Sequence, residues 1–504
     1  PAAAEPPAPP SRPPRMRYML FQAKTAESIF GMIDGLVPEL RLGDSTAALA
    51  SLAKKAQNLT EAERRSPILD DLVSHQVDLL EEVSNQQTSE FRNRRNAEFL
   101  GSVIMDTLFT LKELRQLVPQ VAELGPMLSQ VASKHVRVLR PFVLVSLVLA
   151  DGIFDREVLD AVASVAPGFM RRLSPAVMLQ VLQVYVKARL PNPVLLETIS
   201  KEAVRRIDMF SAEHTSMLVY DFATLGENNK KLMDVVGQTA SRDIGLYAPE
   251  DLGRLALSYT MLGLQDLPLT NAIVTAAVWK LHMFSATSLA YLIDALSQMG
   301  HKTEKVERLI EEGSATLIKG ASEMAPKLQC RLPGNLLRLG ITPPAGLMKN
   351  IAEYAIDHAD EFSLRDFGLL ASAFEGVKQL NAELFEVIRS RFVKLADTAA
   401  AADVARIVRA NAAFKVGDKR MLEAASARAR AIIDSFNPGD LIAVAEAYAK
   451  LGHADAELTE AIRARAERFD PKHRAAIAAA LGDENEKKKF GPPGGGGDDE
   501  GGAN

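Results

Sequence analysis

The sequence predicts an all-α fold, a right-handed α-solenoid of roughly ten or more stacked helical hairpins. Three observations favour this class. Hydrophobic residues make up 47% of the 504 residues and aromatic residues only 6%, and strand-length clusters of β-branched residues are scarce. A short motif recurs about every 37 residues. Within each copy, apolar residues follow the period of an α-helix.

Each copy opens with an aromatic or large apolar residue, which we call the anchor, followed by a small or capping residue and often Pro. The anchors are Leu173, Phe210, Tyr247, Phe284, Met324, Phe362 and Phe436. They are 37, 37, 37, 40 and 38 residues apart, and the last step of 74 is two units of 37. Weaker copies open near Ala399, Val136 and Phe99. Since one hairpin cannot bury its apolar stripe alone, neighbouring copies must stack.

The first helix of each unit, helix A, is expected to begin just after the anchor, where Ser side chains can cap it and Pro is tolerated. The capping residues are Ser174, Ser211, Ser285 and Ser363, and the prolines are Pro175, Pro249, Pro326 and Pro438. Twelve residues past the anchor lies a large apolar residue, such as Tyr259 or Tyr448, which we expect in the core rather than at a base-stacking surface. Trp279 is also expected in the core.

Helix A is expected to stop at a Gly sixteen residues past the anchor, as at Gly263 and Gly452, because Gly adopts the left-handed conformation without penalty. Helix B follows, as at 267–282 or 457–468, and leads to the next anchor. The predicted organisation is a disordered Pro/Ala-rich N-terminus at 1–16, degenerate helical hairpins at 17–98, the solenoid at 99–482 and a disordered Gly/Asp-rich tail at 483–504.

The composition limits the function. The net charge of -5 gives no global attraction to nucleic acid, so any RNA contact must be local. The longest apolar run, 142–150, is short of the roughly 20 residues that cross a bilayer. The single cysteine, Cys330, suits a reducing compartment and is expected to be a buried thiol. The chain begins at Pro1, which fits either a terminus left by presequence removal or an arbitrary boundary.

Signatures of catalysis are weak. The eight His residues are scattered without metal-ligand spacing, and no Gly pattern of a nucleotide site is present. We therefore expect no enzyme activity, no cofactor and no metal.

The openings Tyr247–Leu252 and Phe436–Leu441, with the helix A phrase Leu441–Gly452, resemble heptatricopeptide and octotricopeptide repeats. The resemblance covers 99–469. Such proteins are typically organellar and act in RNA processing, stability, translation or ribosome assembly, and some are scaffolds. The chain is also similar to helical-repeat subunits of protist mitochondrial RNA-editing, guide-RNA-binding and mitoribosomal assemblies. After the repeats we expect only the Gly-rich tail and not the C-terminal module that many of the family append.

Basic residues on helix A that lie away from the apolar stripe, seven or fourteen residues past the anchor, are candidate phosphate contacts. A second group lies in 389–474, where 16 Lys and Arg face 12 Asp and Glu, a balance of +4. The helix A candidates are Lys187, Arg254, Arg331, Arg338, Arg406 and Lys450. The C-terminal candidates are Arg428, Arg430, Arg463, Arg465, Arg468, Lys472 and Arg474. All of them are open to the alternative that they are ordinary solvated residues.

The sequence therefore supports two hypotheses. In the first, the chain is a non-enzymatic RNA-binding and scaffold subunit of a mitochondrial ribonucleoprotein complex. In the second, it is a purely structural scaffold that binds other subunits of a mitochondrial complex and does not touch RNA. The expected compartment is the mitochondrial matrix, with another organelle or the cytoplasm as the alternative.

Overall fold

The computed structural model of the chain describes residues 16–150, 152 and 156–482, which contain α-helices, 3-10 turns and loops but no β-strand. The all-α prediction is confirmed. The chain divides into two compact units, Pro1–Thr239 and Ala240–Asn504. Apart from Met16, the segments predicted to be disordered lie outside the described residues. Within the described ranges, no helix is both long and apolar enough to cross a membrane.

In the first unit the helices form two layers. One layer joins α3, α6, α8, α10 and α12 as successive neighbours, and the other joins α5, α7, α9 and α11. The helices are α1 (Met16–Gln22), α2 (Ala26–Ile33), α3 (Leu42–Ala53), α4 (Glu61–Arg64), α5 (Pro67–Asn85), α6 (Arg94–Leu114), α7 (Leu124–His135), α8 (Pro141–Val148), α9 (Arg156–Phe169), α10 (Pro175–Lys187), α11 (Pro193–Arg205), α12 (Ala212–Thr224) and α13 (Lys230–Arg242), the last of which contains the division between the units.

The second unit is more regular. Its helices are α14 (Pro249–Met261), α15 (Leu267–Trp279), α16 (Ala286–Met299), α17 (Glu304–Lys319), α18 (Pro326–Arg338), α19 (Ala345–Asp357), α20 (Leu364–Gly376), α21 (Ala382–Leu395), α22 (Ala401–Phe414), α23 (Lys419–Ala431), α24 (Pro438–Leu451), α25 (Ala456–Ala466) and α26 (Pro471–Ala480). Each even-numbered helix packs on the next even-numbered one, and these helices form an A layer. The odd-numbered helices from α15 to α25 pack on one another in the same way and form a B layer. This arrangement confirms a solenoid of helical repeats.

The predicted openings of helix A are confirmed. Helix A begins two residues after the anchor in every unit from Leu173 to Phe436, including the weaker copy at Ala399. The hydroxyl oxygens of the four capping serines each accept a hydrogen bond from the backbone N–H three residues later. The sequence did not predict the single 3-10 turn that follows each helix B and ends one residue before the anchor, as at Leu281–Met283.

Two weaker openings were wrong. Val136 begins a 3-10 turn, and because α8 starts at Pro141 the anchor of that unit is Leu139. Phe99 lies inside α6, which opens at the capping residue Asn93. The 37-residue step fails here because α6 has 21 residues and α8 only 8, so these units do not share one length.

Helix A is followed by a residue in the left-handed conformation, and in some units this residue is not Gly. Gly263, Gly300 and Gly452 adopt φ values of 66°, 65° and 64°, as expected for Gly after a helix. In three units the same position holds a basic residue that also adopts a positive φ: Arg189, Lys378 and Lys415, at 52°, 55° and 57°. The turn between the two helices therefore keeps its left-handed residue even where no Gly supplies it.

The residues twelve past the anchor form the core, as predicted. Tyr185, Phe222, Tyr259, Leu296, Leu336, Phe374 and Tyr448 are all buried. The hydroxyl of Tyr185 donates to the carbonyl oxygen of Leu159 at 2.7 Å, and that of Tyr448 donates to Leu422 at 2.6 Å. Burial raises the pKa of both phenols. These rings are structural.

Cys330 is buried in α18, as expected, and burial raises the pKa of its thiol. The thiolate that would react is therefore disfavoured.

Candidate nucleic-acid interface

The A layer of the second unit presents one face away from the B layer, and the position seven residues past each anchor lies on it. We call these residues the seven-row. They are Arg254, Tyr291, Arg331, Leu369, Arg406 and Ala443, on α14, α16, α18, α20, α22 and α24. All are partly or fully exposed. The seven-row thus brings three of the candidate arginines onto one face and adds Tyr291, which sequence reasoning missed.

A buried carboxylate organises the centre of this face. The side chain of Asp294, on α16, is only 1% exposed. Its Oδ1 accepts hydrogen bonds from Arg331 Nη2 at 2.7 Å, Asn335 Nδ2 at 2.9 Å and Gln298 Nε2 at 3.1 Å. Arg338 Nη2 in turn donates to Asn335 Oδ1 at 2.5 Å. The network ties α16 to α18 and fixes the direction of Arg331, whose side chain remains 33% exposed.

Helix α18 is the most basic element of the face. Its sequence, PKLQCRLPGNLLR, carries Lys327, Arg331 and Arg338 and has no Asp or Glu. Lys327 and Arg338 are exposed. The neighbouring α16 has Asp294 as its single charged residue. Together the two helices hold three cations against one buried anion, a local balance of +2 on a chain whose net charge is -5.

The other seven-row arginines pair with a carboxylate of their own helix. Arg254 Nη1 lies 2.9 Å from Asp251 Oδ1, and Arg406 Nη1 lies 3.3 Å from Asp403 Oδ1, each within its own helix. Burial raises the pKa of Asp403, and the nearby positive charge of Arg406 opposes that shift. Asp440 behaves in the same way, with Arg406 and Arg409 close by. The arginines at this end of the face thus favour the ionised form of carboxylates that burial disfavours.

The C-terminal candidates lie mostly in intramolecular contacts. Arg468 Nη1 is 2.7 Å from Asp434 Oδ1, and Arg465 Nη2 donates to the backbone oxygen of Asp434 at 2.9 Å. The guanidinium of Arg465 also lies over the ring of Phe469, at 4.9 Å. Arg430 pairs with Glu457.

Two further C-terminal arginines bind backbone carbonyls. Arg474 Nη2 donates to the oxygen of Glu467 at 2.7 Å. Arg428 Nε donates to the oxygen of the anchor Ala399 at 2.9 Å. The anchors Tyr247 and Leu173 receive similar bonds, from Lys280 at 2.7 Å and Arg206 at 3.1 Å. A basic residue near the end of helix B thus satisfies the anchor carbonyl in several units, a structural role that accounts for Arg428.

The remaining candidates are exposed. Lys450 Nζ lies 3.6 Å from Glu446 Oε2 on α24. Arg463 and Lys472 lie on the surface of α25 and α26. Lys187 is the last residue of α10, in the first unit.

The prediction that Trp279 is a core residue was wrong, because its side chain is 81% exposed at the end of α15. Leu246 and Met283, each the last residue of a 3-10 turn, are exposed with it. Helix α15 is apolar on most of its circumference, so its pattern could not show which side faces the core. Beside Trp279 lies a cavity of about 420 Å³, lined by Ile244, Gly245, Asn271, Ala272, Thr275, Ala276, Trp279 and Lys280.

The comparison with known families gives one match. The model of a family described as RNA-editing substrate-binding complex 6 protein matches residues 238–477. The match begins near the start of the second unit at Ala240 and covers α14 to α25 in full, so it contains the whole seven-row. This match supports the predicted similarity to a helical-repeat subunit of an RNA-editing complex. The assignment to the heptatricopeptide type stays a prediction.

Comparisons with curated proteins and with solved structures do not identify a function. No curated protein matches the sequence. The chain is similar to a homology model of the full-length AP-3 complex in an intermediate open conformation, at 12% identity over 93% of this chain and 89% of that one, with a TM-score of 0.26. It is also similar to a circular tandem repeat protein with novel repeat topology and enhanced subunit contact surfaces, at 12% identity over 93% of this chain and 91% of that one, with a TM-score of 0.18. Scores this low support no inference about fold or function.

Proposed function

We propose that the chain is a non-enzymatic helical-repeat subunit of an RNA-editing assembly in the mitochondrial matrix, where the A-layer face of its second unit binds RNA and other surfaces bind protein subunits. The observation that carries the proposal is the family match over 238–477, which contains the seven-row. Heptatricopeptide-like ancestry and the matrix location are parts of the same proposal.

RNA binding would rely on phosphate contacts by α18. Lys327, Arg331 and Arg338 can each donate to phosphate oxygens without opposing carboxylates on their own helix. Asp294 holds Arg331 in place, so less conformational entropy is lost when a phosphate binds. Arg254 and Arg406 extend the contact along the seven-row, with Lys450 at its end.

The C-terminal candidates contribute less under this proposal. Arg465 and Arg468 would have to leave Asp434 in order to bind phosphate, and Arg428 would have to leave the carbonyl of Ala399. Lys472 is exposed and is better placed for a peripheral phosphate contact. Lys187 belongs to the first unit and would act independently.

The second candidate function is a protein scaffold without RNA contact. Exposed Trp279, Leu246 and Met283 favour it, because clustered exposed apolar residues usually mark an interaction surface. The frequent pairing of surface arginines with carboxylates is also compatible with it.

A salt titration of RNA binding separates the two functions. We expect the wild type to bind single-stranded RNA with an affinity that falls steeply as salt rises. The Arg331→Gln/Arg338→Gln variant should bind more weakly, and its slope of log affinity against log salt should be shallower by roughly 1.4, at about 0.7 for each lost phosphate contact.

The control is an Arg463→Ala/Arg465→Ala/Arg468→Ala variant, which should change binding less than the α18 variant. Absence of salt-sensitive RNA binding by the wild type would contradict the RNA-binding proposal. Pull-down with and without nuclease then tests the scaffold function, since partners that persist after nuclease treatment are bound through protein.

A further inference from the structure

Tyr291 is the aromatic residue of the seven-row. The neighbouring A helices carry Arg254 and Arg331 at this position, whereas α16 carries an aromatic ring that is 41% exposed. Two buried tyrosines of the core, Tyr185 and Tyr448, donate their hydroxyl protons to carbonyl oxygens. Among the described residues, Tyr291 has no hydrogen-bond partner for its hydroxyl and no ring partner, so the fold does not explain it.

The surroundings of Tyr291 leave room beside the ring. On the α14 side its neighbour is Gly253, where an added Cβ would lie 3.8 Å from Tyr291 Cβ. Gly253 therefore brings the α14 backbone close and supplies no side chain that would cover the ring. Solvent, or a planar ligand, can reach the exposed ring surface.

The other side of Tyr291 is basic and polar. Asp294 lies one helical turn further along α16 and holds Arg331 Nη2 at 2.7 Å, which brings that guanidinium to the α16 surface. Gln298, one turn beyond, is exposed and uses Nε2 to bind Asp294. Its Oε1 has no partner within the described part of the chain. An accessible ring is thus followed by a guanidinium and an amide oxygen along one helix face.

We infer that Tyr291 is the stacking platform for one unpaired base of a single-stranded RNA, and that Arg331 and Arg338 bind the phosphates next to that base. The inference rests on the proposed RNA-binding function and names the class of RNA. Stacking on an aromatic ring together with phosphate contacts is the usual mode of single-strand binding. A duplex keeps its base faces inside the helical stack and cannot offer one to Tyr291. An acidic peptide would use Arg331 and Arg338 but gains nothing specific from the ring.

The test measures binding of a short fluorescent single-stranded RNA, and of the duplex of the same sequence, by anisotropy. Tyr291→Leu and Tyr291→Gln should weaken single-strand binding by about fivefold or more, the lower end of what loss of a base stack produces. Tyr291→Phe keeps the ring and should bind like the wild type. Trp279→Leu removes an exposed aromatic residue from the B layer and is the matched control, with no expected change.

Photocrosslinking supplies a second readout that folding defects do not mimic. RNA containing 4-thiouridine should crosslink to the α16 peptide of the wild type and of Tyr291→Phe, but not of Tyr291→Leu. Circular dichroism establishes that each variant is folded, and two different replacements guard against one that misfolds.

The outcomes separate the inference from the proposed function. If the wild type binds RNA but Tyr291→Leu and Tyr291→Gln bind it equally well, the stacking role is overturned and RNA binding stands. If duplex and single-strand binding fall together, Tyr291 acts through the fold and the inference is also overturned. If the wild type binds no RNA, both fail; binding of an acidic peptide at α18 in its place would favour the protein scaffold.

Discussion

Replacing Asp294 with Ala should loosen the contact between α16 and α18. Asp294 is buried and accepts three side-chain hydrogen bonds, two of them from α18. Without it, the Nδ2 group of fully buried Asn335 loses its acceptor, which costs about 1–3 kcal/mol. The guanidinium of Arg331 is partly exposed and can bind water instead, so the loss of its bond to Asp294 adds little to the destabilisation. We expect a total destabilisation of about 2 kcal/mol, the middle of that range.

The assay must be local, because a long repeat array does not unfold in one step and a single unfolding free energy is not defined for it. Hydrogen–deuterium exchange followed by mass spectrometry reports the opening free energy of each helix. Exchange from α16 and α18 should accelerate by tenfold or more, since about 1.4 kcal/mol corresponds to a factor of ten. Helix α24 in the same unit is the internal control and should change little.

A double replacement sharpens the test. Removing both polar partners at once, in Asp294→Leu/Asn335→Leu, leaves no orphaned group between them and should restore much of the lost protection. The reasoning is refuted if Asp294→Ala leaves exchange in α16 and α18 unchanged, or if protection falls equally in α24.

Three further outcomes are expected. Gly452→Ala should destabilise α24 and α25 by about 1 kcal/mol, because residue 452 has a φ of 64° and an added Cβ would meet no atom within 4 Å, so only backbone strain is added. Local hydrogen exchange measures this, and Lys415→Gly should not destabilise its own turn. Tyr448→Phe should cost about 1 kcal/mol by the same assay, because the buried hydrogen bond from the hydroxyl to the carbonyl of Leu422 is lost. Burial lowers the pKa of His135, so the unfolded chain takes up this proton at a higher pH than the folded chain does. The first unit should therefore lose thermal stability as pH falls below about 6.5. His135→Gln should flatten this pH dependence, and an unchanged slope of stability against pH would contradict the prediction.

Much of the second unit could be predicted because its signals repeat. Anchors, capping serines and the left-handed Gly recur at fixed spacing, and each marks a helix end by its own physical effect. The early openings at Val136 and Phe99 were misplaced, because extrapolating a fixed step cannot follow units that contain a helix of 21 or of 8 residues. The 3-10 turns were missed since their sequences, such as LHM and IDS, share no residue type.

The candidate site was less predictable, because its interactions join residues about one repeat apart. Sequence spacing identified Arg331 but not Asp294, which is 37 residues away and is not a basic residue. It grouped Arg465 and Arg468 by their charge, while Asp434, which binds them both, lies 31 and 34 residues earlier. Tyr291 was detectable in principle: it stands seven residues past Phe284, the same offset that selected the arginines. Restricting that offset to basic residues hid it.

The pairing pattern along the seven-row explains how an acidic chain can hold a local RNA surface. Arg254 and Arg406 are paired with a carboxylate three residues earlier on their own helices, so each helix presents little net charge there. Arg331 takes its carboxylate from α16, the preceding A-layer helix, and α18 itself carries Lys327 and Arg338 without any acidic residue. Positive charge is thereby concentrated on one helix, beside the one exposed ring of the seven-row. Long-range attraction of RNA should therefore be weak, and affinity should depend on short-range contacts at α16 and α18.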